Sequence, residues 1–476
     1  MLDEEVIKRN TQNISERILI ANVLVMVLLS ALLGGGNSES CSGLLIAFGI
    51  VAPVNVAIFR RVWPDAPRGL CLNYALSVSP YLALLAVAIA GVFNPCVEMA
   101  SAGGVSAFRL LDNYSGSAIV SAADSAESAL FPPLETLAIA AAALSVYFIC
   151  GSRYILRRIL SYCVMIAALL ALVGLLLELS FSLENVNNVL NMRQDGFSTF
   201  SSSSQWCAFA MIWMGAAFAC ALYSSPHRRL SAFLFSFRFL MLACACVLLF
   251  TALLTGTPLE RIFACSIFAL GAFLFAVSAL PEFGEIGRRL KSGEFGSAAA
   301  KFASPVAYFA LAAFAAVLIF AFFDGSVSNP DEKLIVSENS PITLRQKALV
   351  FEDSMKLISE RPLFGWGAGS FPTAFAFVQG ADTGASSWSS PTSDLLKKLV
   401  EDGFAGLALA LLTPLALFLR QLARFDFGLS SVVMLGTICC VLLVSAVASP
   451  FESSCVYASF WFLLTGFFTW NRSDID

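Results

Sequence analysis

Twelve apolar runs, each near the length of one bilayer crossing and bounded by charged or turn-forming residues, constrain this chain more than any other feature. A helix needs about 20 mostly apolar residues to cross the hydrocarbon core, with roughly 17 as the practical minimum. The runs cover residues 18–36, 43–59, 72–93, 134–150, 160–181, 205–223, 230–254, 262–280, 306–323, 404–419, 429–448 and 455–470. Overall 58% of the residues are hydrophobic and only 13% are charged. Soluble domains run nearer half apolar and a quarter charged, so lipid must solvate much of this surface. The expected fold is an all-α polytopic membrane protein of about twelve transmembrane helices. Residues 1–323 would hold helices 1–9, residues 324–403 a large outer loop, and residues 404–476 helices 10–12.

Short cytoplasmic loops carry the excess of Lys and Arg. Placing the N-terminus inside puts Lys8, Arg9, Arg17, Arg60, Arg61, Arg68, Arg153, Arg157, Arg158, Arg228 and Arg229 in the cytoplasm. Arg288, Arg289, Lys291, Lys301, Arg420, Arg424 and Arg472 follow them, so both termini are expected inside. The first residues, MLDEEVIKRN, are acidic rather than a basic leader, which predicts an uncleaved first helix. A net charge of −4 lacks the basic stripe that a nucleic-acid partner requires. The 13 cysteines sit mostly in apolar runs and read as small buried hydrophobes. Cys41, Cys96 and Cys455 lie near outer ends, where an oxidising compartment allows pairing.

The single histidine, His227, has no companion ligands, so neither a metal nor another cofactor is expected. No phosphate-cradling Gly-Lys loop is present, so a reaction here needs a preactivated donor. Arg238 falls inside an apolar run, where it either serves function or snorkels to the inner interface.

In the outer loop, Phe351, Met355 and Ile358 recur at helical spacing within TLRQKALVFEDSMKLISER. This predicts an amphipathic helix lying on the membrane surface or against the bundle. Pro362 ends it, and Gly365, Gly367 and Gly369 permit a tight turn with close backbone approach. Downstream, Ser390 and Pro391 offer a helix start and Gly403 a stop, with Asp394, Lys398 and Glu401 on one face between them. Most such charged stripes are simply solvated. Arg109, Arg193, Arg261, Arg345 and Lys347 lie outside against the charge bias. Arg offers a planar, permanently charged fork suited to phosphate oxygens.

The segment RQKALVFEDSMKLISERPLFGWGAGSF resembles the outer loop of the bacterial O-antigen ligase and polymerase family: a basic residue, an aromatic, a helix, then a Pro-Leu-x-Gly-x-Gly-x-Gly-x-Phe turn. Lys347 falls on the family's arginine and Phe351 on its tryptophan, with Arg345 two residues early. TSDLLKKLVEDGFAGL is similar to the family segment that ends in Gly-x-x-Gly, with Gly403 and Gly406 in place. The family's histidine falls on Thr392 and its asparagine on Ser393. TFSSSSQWCAFA looks like a third family segment, with Arg193 before it.

The resemblance implies a C-type glycosyltransferase architecture in the bacterial inner membrane. It implies transfer of a glycan from undecaprenyl diphosphate to an acceptor hydroxyl at the periplasmic face, alongside other polysaccharide-assembly proteins. The implied diphosphate ligands are Arg193, Arg261, Arg345 and Lys347. The base is sought among Asp394, Glu401 and Thr392, although a threonine hydroxyl takes up no proton near neutral pH. Three alternatives stand beside a ligase: a polymerase of the same family, a relative that binds lipid-linked glycan without transferring it, and a polytopic transporter.

Overall fold

The computed structural model describes residues 2–36, 39–62, 69–95, 97–102, 105–110, 121, 123, 125–181, 196–223, 236–279, 344–380, 388–423 and 427–472. The expected span at 306–323, Arg193 and His227 lie outside the described residues, as does Cys96.

Apolar runs become helices because in lipid every peptide group must find its partner within the chain. In order these are α1 (Leu2–Leu32), α2 (Glu39–Val62), α3 (Leu70–Val92), α4 (Ala126–Ile149), α5 (Arg153–Phe181), α6 (Ser203–Tyr223), α7 (Phe237–Thr255) and α8 (Pro258–Ala279). After the loop helices α9 (Leu344–Glu360) and α10 (Phe371–Val378) come α11 (Asp394–Leu422), α12 (Leu429–Val447) and α13 (Ser454–Trp470). Ten of the described helices are long and apolar enough to cross a membrane, and α13 is a shorter apolar helix of 17 residues. The chain is a polytopic α-helical membrane protein. One short element departs from all-helix: an antiparallel hairpin, β1 (Val97–Ala102) with β2 (Val105–Leu110), whose register pairs Glu98 with Arg109. Gly103 and Gly104 stand between the strands in sequence, a hairpin signal that the apolar-run reading passes over.

Helix α6 is the centre of the bundle. It is buried on every side from Gln205 to Ala221, as a helix apolar all round must be. It packs against α5, α7, α8, α12 and α13. Small residues set the closest approaches, as is usual where lipid gives no net drive to helix contact. Gly215 lies against Thr437 of α12, and Gly271 of α8 against the ring of Phe218.

Prolines inside spans leave carbonyls without their amide partner, and neighbouring hydroxyls fill the gaps. Pro414 in α11 frees the Ala410 carbonyl, which accepts from Tyr81 Oη of α3 at 3.2 Å. Pro80 in α3 frees that of Leu76, which accepts from Ser79 Oγ at 2.8 Å.

Charge separates the two ends. At one end Arg153 Nε donates to Trp470 O at 3.2 Å and Arg472 donates to Tyr147 O at 2.5 Å. Buried Arg238 belongs to this end: its Nε donates to Ala221 O at 2.9 Å, in the last turn of α6, and its guanidinium lies 4.9 Å from the Phe275 ring. It satisfies a helix-terminal carbonyl. The opposite end gathers Glu135, Glu260, Asp394, Glu401, Asp402 and Glu452 with three lysines.

Candidate functional site

The turn that follows α9 is docked on a break in α11. Gly403 has φ 65° and ψ −172°, a conformation essentially limited to glycine. The break strands peptide groups on both sides of it, and the turn after α9 takes them up. Trp366 N and Gly367 N donate to the carbonyls of Val400 and Glu401 at 2.9 and 2.7 Å, while Phe404 N and Ala405 N donate to those of Pro362 and Leu363, both at 2.9 Å. Gly365 and Gly403 each sit where a side chain would strike the other segment's backbone, and Gly369 fits against the Ser128 carbonyl of α4. Gly365 and Gly369 of the turn therefore serve close packing of backbone on backbone, while Gly367 takes a positive φ of 100°. Gly406, one turn on, has Asp402 and Leu84 of α3 at its face.

Helix α9 buries Val350, Leu357 and Ile358 in a cluster with Trp366, Phe371, Phe375, Trp388, Leu396 and Val400. Trp366 Nε1 donates to Leu357 O at 3.0 Å, and the Arg361 guanidinium lies 4.9 Å from its ring. Of the three apolar positions that recur at helical spacing, Ile358 is buried while Phe351 and Met355 are exposed. The packed stripe is centred instead on Val350, Ser354 and Leu357.

The first turns of α11 carry the charges. Ser393 caps the helix, its Oγ accepting from Leu396 N at 3.4 Å, and Thr392 takes a positive φ of 61° just before it. Lys398 Nζ lies 2.5 Å from Asp402 Oδ2, and Lys397 Nζ donates to Glu452 Oε1 at 3.1 Å. Both lysines are also within electrostatic reach of Glu401.

The two candidate carboxylates differ in their engagement. Asp394 Oδ2 accepts from Phe451 N at 2.9 Å, which ties α11 to the short turn Pro450–Glu452 and gives Asp394 a structural role. Glu401 is 5% exposed; it accepts from Gly369 N, while its Oε1 has no hydrogen-bond partner among the described residues.

Two acidic residues that the sequence reading passed over join this end. Glu135 accepts from Ser42 of α2 and Ser454 of α13, and it faces Tyr457, which in turn faces Lys398. An ionisable residue inside an apolar run is the signal that marks it. Glu260 caps α8: its Oε2 accepts from Thr257 N at 2.8 Å, with Pro258 in the first turn, as in a capping box.

Among the predicted cations, Lys347 and Arg261 come together around Glu260. Lys347 lies within reach of that carboxylate, and Arg261 follows it directly on the exposed first turn of α8. Burial pushes the Lys347 ammonium below the usual lysine range, and Glu260 partly opposes this. Arg345 lies in α9, with its side chain outside the described residues. Among the described residues, no group of three or more His, Cys, Asp or Glu is arranged to hold a metal ion.

No family model matches this chain, and no curated protein matches it at a significant level. The site must therefore be read from its own chemistry. It presents a buried carboxylate oxygen with spare accepting capacity beside two lysines, and, around Glu260, a second position where Lys347 and Arg261 flank a helix N-terminus that the Glu260 carboxylate caps.

Proposed function

We propose that this protein transfers a glycan from a lipid-linked diphosphate to an acceptor hydroxyl at the outer face of the bacterial inner membrane, as an O-antigen ligase-like protein with about twelve spans and both termini in the cytoplasm. The observation that carries the reading is Glu401: a buried carboxylate on a broken helix, held by Gly369 N–H on one oxygen, with the other oxygen uncommitted.

In this reading the two halves of the outer end do different work. The four carboxylates Asp394, Glu401, Asp402 and Glu452 outnumber Lys397 and Lys398, so this half suits a neutral hydroxyl better than a diphosphate. Glu401 takes the hydroxyl proton as the oxygen attacks the anomeric carbon. The bond from that carbon to the diphosphate oxygen breaks, and the electron pair leaves with the diphosphate. Lys347 and Arg261, with Arg345 and Arg193, stabilise the negative charge that develops there. Glu401 thus fills the role that the family gives to a histidine, which Thr392 cannot fill.

A transporter would place its broken helix at the membrane middle. The break here falls ten residues into α11, beside the loop turn and ahead of the apolar stretch that begins at Phe404. This favours chemistry at the outer surface over passage through the bundle.

The test is Glu401→Gln expressed in a strain that lacks the chromosomal copy. Protein present in the membrane at parental level with attached glycan lost supports the reading, and normal attachment overturns it. In the deletion strain itself, accumulation of unattached chains indicates a ligase and loss of long chains a polymerase. Retained binding of the lipid-linked donor by purified parental protein, without turnover, indicates the non-catalytic relative.

A further inference from the structure

The outward arc of α9 divides into two sectors at 3.6 residues per turn. Glu352, Lys356 and Glu360 occupy one, and Phe351 and Met355, 54% and 45% exposed, occupy the other, next to the buried stripe. Neighbouring large apolar side chains left about half exposed on one side of a loop helix point to another phase that covers them.

Two further exposed apolar residues lie beyond the end of α9. Leu363, 48% exposed, follows α9, and the hydrogen bond from Ala405 N to its carbonyl seats it beside Phe404, itself 56% exposed. Phe404 begins the apolar stretch of α11, whose outward residues Leu411, Leu412, Leu415 and Leu419 form part of the lipid-facing surface. Exposed apolar residues thus run from the lipid-facing stretch of α11 to the turn that directly follows α9.

We propose that α9 is an interfacial helix whose Phe351–Met355 sector lies in the outer leaflet of the membrane, with Glu352 and Lys356 turned toward water and Val350 and Leu357 held on the loop cluster. Such division into apolar and charged faces is what binds a helix in the plane of an interface. The loop is then fastened on two sides, to the break at Gly403 and to lipid. This inference does not depend on the proposed chemistry.

The test uses the full-length protein in phosphatidylcholine nanodiscs, with tryptophan introduced singly as Phe351→Trp, Met355→Trp or Glu352→Trp. Emission gained over the parent protein is compared between ordinary lipid and lipid brominated near the top of the acyl chain. Loss of the added emission at positions 351 and 355, with little loss at 352, is expected. Equal loss at all three positions, or none at 351 and 355, overturns the proposal, since a face covered by another part of the chain or open to water would not be quenched selectively. Two apolar positions are used so that misfolding of one variant leaves the other to decide.

Discussion

Glu401 and Asp394 sit seven residues apart on one face of α11, yet they should respond oppositely to substitution. Glu401→Gln keeps the shape and the Gly369 contact but cannot take a proton, so glycan transfer should fall by roughly 10² to 10⁴ with thermal stability little changed. Asp394→Ala removes the acceptor of Phe451 N–H. A hydrogen bond to a charged group is worth about 1.5–3 kcal/mol, so this variant should show a lower melting temperature in detergent and a smaller loss of rate. Lys347 offers a pH test. Burial lowers its pKa, so its charge is present at low pH and is lost, as pH rises, sooner than for an ordinary lysine. Lys347→Arg, charged throughout, should move the alkaline limb of the activity profile upward; an unchanged limb would remove Lys347 from the diphosphate site. The sequence displayed all three residues, but not their differences. Helical spacing puts Asp394 and Glu401 on one face, whereas what separates them is an amide at Phe451, more than fifty residues away. Glu135 was legible only as an acid in an apolar run, because its partners Ser42 and Ser454 come from distant helices.

At the scale of elements, the glycine turn and the break in α11 form one interlocked unit. Gly403→Ala must hold a side chain at a φ of +65° and push it into the Leu363 carbonyl. Strain of this kind costs on the order of 1–3 kcal/mol before any clash. A clear drop in melting temperature and faster proteolysis between residues 361 and 370 are expected. The sequence announced the glycines and the stop at Gly403, and it placed a helix on each side. It did not reveal that the two motifs complete each other's hydrogen bonds, since pairing across forty residues leaves no periodic trace. Which apolar residues of α9 pack on the chain was not legible for a related reason: hydrophobicity marks Phe351 and Val350 alike, and only the position of Trp366 and Val400 decides which of them is packed.

For the molecule as a whole, the membrane spans were the most legible feature, because hydrocarbon thickness and peptide hydrogen bonding act on every helix alike. Each expected run within the described residues falls on a helix, although α1 starts well before the run at 18–36 and α11 starts ten residues before the run at 404–419. The charge asymmetry of the two ends makes a further prediction. Reporter fusions at Gly380 should be active only outside the cytoplasm, and fusions at Arg153 only inside; the reverse pattern would place the carboxylates and lysines on the wrong face for a periplasmic acceptor. The docking of the loop on α11 also limits how the protein can move. Undocking would expose four peptide pairs at about 1 kcal/mol net each, about 4 kcal/mol in all, which leaves the turn detached about one time in a thousand. The turn and α11 therefore behave as one rigid unit. The moving parts of any working cycle must be sought away from the glycine turn.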